Sequence, residues 1–225
     1  MIKFFTFLIA ILSVSVLAKE QVFFPTEDGG RIQADIFGKG EHGVILAHGG
    51  RFNKDTWTNQ VDALIEAGFT VLALNFRGYG LSRGPGDEAV MDAPLYKDIL
   101  GAAEFMKEKG VKTVSVLGAS LGAGAAMDAA IKAPEKFRCL VLLAGGGGAL
   151  PPEQLQGRKL FLIARNDPGS DGRLRMDTLM PYYKKVPEPK RLQILEGSAH
   201  AQFLFQTDQA QSVLKEIIEF LKAPK

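Results

Sequence analysis

A chain of 225 residues, 46% apolar and 23% charged, has enough apolar side chains to bury one sizeable core and too few charges to remain disordered. Its 27 basic and 25 acidic residues leave a net charge of +2, which offers no basic face for nucleic acid or anionic lipid. The three histidines are scattered and Cys139 is the only cysteine, so neither a bound metal nor an internal disulfide is expected, and no motif calls for a cofactor.

Residues 1–18 stand apart. Lys3 precedes an uncharged apolar run, Phe4 to Leu17, and Val16-Leu17-Ala18 places small residues at −3 and −1 ahead of Lys19-Glu20. A basic start, an apolar run too short to span a bilayer comfortably and such a terminus describe a secretory signal peptide, cleaved after Ala18. The expectation is an exported protein, periplasmic or secreted, with residues 19–225 as one domain. It meets a membrane only if the leader is kept as an anchor.

Two extended segments, Gln21 to Pro25 and Arg31 to Phe37, flank Asp28-Gly29-Gly30, which predicts a hairpin. The apolar strand Gly43 to Ala47 ends in His48-Gly49-Gly50, and its unbroken apolarity suits a parallel sheet covered on both faces. Trp57, Val61, Leu64 and Ile65 recur at helical spacing up to Gly68, followed by a strand from Phe69 to Leu74. Asn75 to Gly86 is too rich in glycine for regular structure, and a helix from Ala93 to Lys109 follows. Thr113 to Leu117 reads as a strand, Leu121 to Ile131 as a helix, and Arg138 to Leu143 and Lys159 to Ala164 as strands. Asp171 to Lys185 predicts a helix, Arg191 to Leu195 a strand, and Asp208 to Leu221 a last helix with Val213, Leu214, Ile217, Ile218 and Leu221 as its buried stripe. Strands alternating with helices after an initial hairpin give an α/β class with a mostly parallel, doubly wound sheet.

Gly118-Ala119-Ser120-Leu121-Gly122 lies between a β-branched run and an Ala-rich helix. G-x-S-x-G in that setting is a strand–turn–helix elbow with the serine at its apex. A serine hydroxyl needs a base, and the base needs a carboxylate to hold its tautomer. His42 reads as a solvated loop residue and His48 as a residue shaping its loop. His200, between the last strand and the last helix, can reach back to Ser120 and is the expected base. The acid should fall between serine and histidine in sequence. Asp167, in the turn Arg165-Asn166-Asp167-Pro168, is preferred, with Asp171 and Asp177 as competitors. Two backbone N–H groups must meet the oxyanion: that of Leu121, and one from Gly50 or Arg51. Arg51, Phe52, Trp57, Tyr79 and Phe203 stand where each either shapes the rim of the site or packs its loop.

Together, Leu46-Ala47-His48-Gly49-Gly50, Asn75-Phe76-Arg77-Gly78-Tyr79-Gly80-Leu81-Ser82, Gly118-Ala119-Ser120-Leu121-Gly122, Asp167 and Gly197-Ser198-Ala199-His200 resemble the α/β-hydrolase fold family over nearly all of the chain after residue 18. The resemblance implies Ser120 as nucleophile, Asp167 as acid, His200 as base, and Gly50 with Leu121 around the oxyanion. The chain is similar to small bacterial serine hydrolases, some of them dienelactone-hydrolase-like, although the dienelactone enzymes use a cysteine where this chain has Ser120. Only about fifteen residues separate Leu143 from Lys159, where many relatives insert a helical cap, so an open site without a cap domain is expected. The reading is an exported serine hydrolase of accessible esters. Amide or peptide hydrolysis, acyl transfer and a non-catalytic binding role on the same fold stay open.

Overall fold

The structure is a computed structural model that describes residues 19–224. The expected leader, residues 1–18, lies outside the described residues. Among those described, no helix is long and apolar enough to cross a membrane.

Eight strands form one sheet: β1 (Glu20–Pro25), β2 (Arg31–Phe37), β3 (His42–Ala47), β4 (Thr70–Leu74), β5 (Thr113–Ala119), β6 (Phe137–Leu143), β7 (Arg158–Ala164) and β8 (Lys190–Leu195). Their spatial order is β1-β2-β4-β3-β5-β6-β7-β8. β2 runs antiparallel to both β1 and β4, and every pairing from β4 through β8 is parallel. The helices are α1 (Thr58–Glu66), α2 (Tyr96–Glu108), α3 (Leu121–Lys132), α4 (Arg175–Lys185) and α5 (Ala210–Lys222).

The period of two along each strand explains the two cores. In β3, Val44 and Leu46 join Trp57, Val61 and Leu64 near α1 and Val213, Ile217 and Leu221 of α5. Ile45 and Ala47 point the other way, to Ile99, Ala102 and Met106 of α2 and Ala123, Ala126 and Met127 of α3. Each fully buried Leu, Ile or Val contributes roughly 1.5–3 kcal/mol, which is why the central strands read as unbroken apolar runs.

The strand order reverses beside β3: β4 lies on one side and β5, reached by a crossover, on the other. In such a sheet the crevice opens at the carboxyl ends of the two strands flanking the reversal. Here those ends lead into His48-Gly49-Gly50 and Ser120. Between β6 and β7 the chain forms only a short 3₁₀ turn, Pro152–Gln154, so no helical cap stands over this edge.

Several predicted boundaries move for local reasons. α4 starts at Arg175 rather than Asp171, because Asp171 accepts from the Arg173 amide at 3.1 Å and a Pro168–Leu174 bridge closes a turn there. A 3₁₀ segment, Ala201–Gln206, precedes α5. His42 is not a solvated loop residue: it opens β3 opposite Thr113, is half-buried, and packs edge-on against Phe69.

Candidate active site

The elbow follows from sterics. β5 ends at Ala119 and α3 begins at Leu121, so Ser120 alone turns the chain, with φ 50° and ψ −108°. A non-glycine residue held there costs on the order of 1–3 kcal/mol, and the surrounding structure enforces it. The Ser120 amide donates to the Leu143 carbonyl at 2.8 Å. A Cβ on Gly118 would sit 2.5 Å from the Gly122 carbonyl oxygen, and one on Gly122 would overlap the carbonyl of Ala47. Both positions therefore require glycine.

β7 and β8 deliver the other two groups to the same edge. His200 Nδ1 lies 2.8 Å from Asp167 Oδ2, and its Nε2 lies 2.9 Å from Ser120 Oγ. A carboxylate can only accept, so Nδ1 carries the proton and donates to it, Nε2 is a free acceptor, and the Ser120 hydroxyl donates to Nε2. Asp167 is fully buried and the His200 side chain is 24% exposed. Asp171 faces away, paired with Arg173 in an exposed turn. Asp177 lies in the first turn of α4.

A second serine–histidine contact exists, His42 Nε2 to Ser115 Oγ at 2.8 Å, but it lies at the amino end of β3 and β5. Ser115 is fully buried, its Oγ also meets Cys139 Sγ at 3.2 Å, and among the described residues no carboxylate holds the other His42 nitrogen. With the Ser115 hydroxyl fully buried, that pair serves packing. His48 is committed as well: its Nδ1 donates to the Gly49 carbonyl at 2.8 Å and its Nε2 accepts from the Phe76 amide at 3.2 Å.

The loop after β3 is held from three sides. Tyr79 Oη donates to the Gly50 carbonyl at 2.8 Å, and Gln202 Oε1 accepts from the Gly49 amide at 2.8 Å. Gln202 Nε2 in turn donates to Thr56 Oγ1 at 2.7 Å. The loop carrying Tyr79 is pinned by buried Arg77, whose Nε donates to Asp98 at 2.9 Å and whose Nη1 donates to Asp28 at 2.8 Å. That guanidinium holds the Asp28 carboxyl well below the usual carboxylate range. Among the described residues, the Leu121 and Gly50 amides donate to no protein acceptor.

Two clefts meet at Ser120 and Leu121. One, of about 540 Å³, runs along α3 past Tyr96, Asp128 and Gly147. The other, of about 430 Å³, is bordered by Arg51, Phe52, Arg175, His200 and Phe203. Among the described residues no cluster of groups could hold a metal ion.

Residues 44–180 match the family model described as alpha/beta hydrolase fold. The chain belongs to the alpha/beta hydrolase fold family. It is 27% identical over 172 residues to the 2-hydroxy-6-oxononadienedioate/2-hydroxy-6-oxononatrienedioate hydrolase of Klebsiella pneumoniae, an alignment covering 71% of this chain and 58% of that protein. The chain thus spans little more than half of that relative's length. Among solved structures, an esterase of Pyrococcus furiosus superposes with TM-score 0.75 at 17% identity over 92% of both chains. A dienelactone hydrolase of Anabaena variabilis gives TM-score 0.71 at 18% identity, over 91% of this chain and 96% of that one. At such identities the likeness is one of fold.

Within this hydrolase fold the expected rim divides. Arg51, Phe52 and Phe203 border a cleft, and Tyr79 acts behind it on Gly50. Trp57 is not at the rim: it is fully buried, because the turn Lys54–Trp57 tucks its indole into the core, edge-on to Phe205. Gln202 and Arg175 carry no sequence motif and emerge only in three dimensions.

Burial pushes both His48 and His42 from 6.5 down to about 4. Above pH 6.5 neither the folded nor the unfolded chain protonates His48, and its contribution to stability is fully present. As pH falls from 6.5 toward 4, the unfolded chain takes up a proton that the folded chain refuses, and stability falls. For His48 the loss amounts to roughly 3 kcal/mol. Urea unfolding at about pH 7 and about pH 4 should show a smaller acid-induced loss in His48→Gln than in the wild type. Equal losses would assign the effect to other groups.

Proposed function

We propose that the chain is a serine hydrolase that cleaves carboxylic esters through an acyl-enzyme. The observation that carries this reading is the unbroken relay Ser120–His200–Asp167, at 2.9 and 2.8 Å, placed where two open clefts meet. Ser120 Oγ attacks the ester carbonyl carbon as His200 Nε2 takes its proton, and buried Asp167 stabilises the imidazolium that forms. The carbonyl oxygen becomes an oxyanion, received by the free amides of Leu121 and Gly50. Each such donor is worth about 3 kcal/mol in the transition state. His200 then protonates the departing alcohol, and water activated by the same histidine hydrolyses the acyl-enzyme. An uncapped site suits an ester arriving from solvent, since nothing in this chemistry requires water to be excluded.

Labelling with a fluorophosphonate, read by intact mass and peptide mapping, tests the reading. A single adduct on Ser120 that disappears in His200→Ala is the expected outcome; no adduct on folded protein would overturn it. We also propose export with cleavage after Ala18. A mature amino terminus at Lys19 supports it, and a purified protein retaining Met1 overturns it.

A further inference from the structure

The two clefts at Ser120 differ in charge. The larger carries Asp92 and Asp128 in its wall, whereas the smaller is bordered by Arg51, Arg175 and His200 with no acidic side chain. Most arginines are already engaged: Arg77 pairs with Asp98, Arg165 with Glu196, Arg173 with Asp171 and Arg191 with Glu216, and Arg83, Arg138 and Arg158 donate to backbone carbonyls. Among the described residues the guanidinium groups of Arg51 and Arg175 donate no hydrogen bond.

Arg175 is held in place without being satisfied. Its backbone amide donates to the Asp167 carbonyl at 2.9 Å, while its Nε lies 3.5 Å from Asp167 Oδ1, beyond hydrogen-bonding reach. The side chain is 34% exposed, and it borders both clefts. A guanidinium cannot shed its charge, and its fork of donors matches a carboxylate. Asp167 cannot serve both neighbours: when His200 becomes an imidazolium, the one buried carboxylate faces two cations. A second anion in the cleft would balance them.

We infer that the His200-side cleft binds a carboxylate through Arg175 and Arg51, and that the ester this chain hydrolyses carries that carboxylate on its alcohol half. The inference rests on the ester-hydrolase reading. The assignment to the alcohol half follows from proton delivery. His200 Nε2 must protonate the leaving oxygen, and His200 borders the smaller cleft alone, so the alcohol departs there while the acyl group extends into the larger one. Phe52 and Phe203, edge-to-face with centroids 5.0 Å apart, give that cleft an apolar wall for the carbon skeleton between ester and carboxylate.

The test compares hydrolysis of benzyl acetate with that of 4-carboxybenzyl acetate by wild type, Arg175→Gln, Arg175→Lys and Arg51→Gln, with fluorophosphonate labelling in parallel. The expected result is a kcat/KM ratio favouring the carboxylate ester by about 10-fold or more, as a charge-assisted pair supplies. That ratio should collapse toward unity in Arg175→Gln, fall in Arg51→Gln, survive in part in Arg175→Lys, and shrink as salt is raised. The ratio separates recognition from any general loss caused by disturbing Asp167. In the wild type, 4-(hydroxymethyl)benzoate should inhibit more strongly than benzyl alcohol. Turnover of benzyl acetate with no preference for the charged ester, or a preference unchanged in both glutamine variants, would overturn the inference and leave the ester-hydrolase reading standing. Turnover of neither ester together with no label on Ser120 would overturn that reading itself.

Discussion

Replacing Ser120 by alanine is expected to lower kcat for ester hydrolysis by about 10⁶-fold while the thermal midpoint stays near that of the wild type. The loss is large because the hydroxyl is the only group at the apex of the turn, 2.9 Å from its base, and no neighbouring side chain can form the acyl-enzyme in its place. Folding should tolerate the change. The unusual backbone at residue 120 is imposed by the glycines on either side and by the bond from its amide to Leu143, and alanine keeps the same Cβ and the same amide. His200→Ala should cost about as much, and the double variant no more than either alone, because a nucleophile without a base and a base without a nucleophile fail as one unit. The measurement is steady-state turnover of one ester by the three variants, with thermal unfolding alongside. Additive losses, or substantial turnover without Ser120, would remove the serine from the mechanism.

Asp167→Asn should lower kcat by about 10⁴-fold. The substitution keeps the shape of a fully buried side chain but changes what it can offer His200. An amide that presents its NH₂ to Nδ1 forces the imidazole into the tautomer with the proton on Nε2, so that nitrogen can no longer accept from Ser120. An amide that presents its oxygen keeps the tautomer but supplies no charge to the imidazolium. Either arrangement also leaves Arg175, 3.5 Å away, without its facing carboxylate. Asp171→Asn, which disturbs only an exposed pair with Arg173, should change kcat little. If the two variants exchanged these outcomes, the acid would have to be reassigned to Asp171.

Much of this is legible in the sequence, for a local reason. Strand and helix periods, the glycines around Ser120 and the position of His200 after the last strand are properties of short stretches. The constraint that selects them acts within a few residues: a Cβ at Gly118 collides with Gly122, four positions on. The elbow could be read because its sterics are contained in the motif. The choice of Asp167 over Asp171 was narrowed by chain order. The structure places Asp167 buried beneath His200 and Asp171 in an exposed turn bound to Arg173, an arrangement that favours Asp167.

What the sequence alone determined is the layout: an α/β fold, an initial hairpin, a serine at an elbow, a histidine behind the last strand and no room for a cap. Only the tertiary structure decided which groups meet. Gln202 supports Gly49 across 153 positions, Ser115 claims His42 across 73, and Trp57 turns into the core instead of toward the rim. Neither hydrogen bond leaves a periodic or spacing signal, because each depends on which distant segments the sheet brings together; Trp57 alone shares a spacing, the helical one of Val61 and Leu64. The charge of the cleft has the same origin: Arg51 and Arg175 carry no motif in the chain, and they border one cleft because the strand order reverses beside β3 and gathers the carboxyl ends around Ser120.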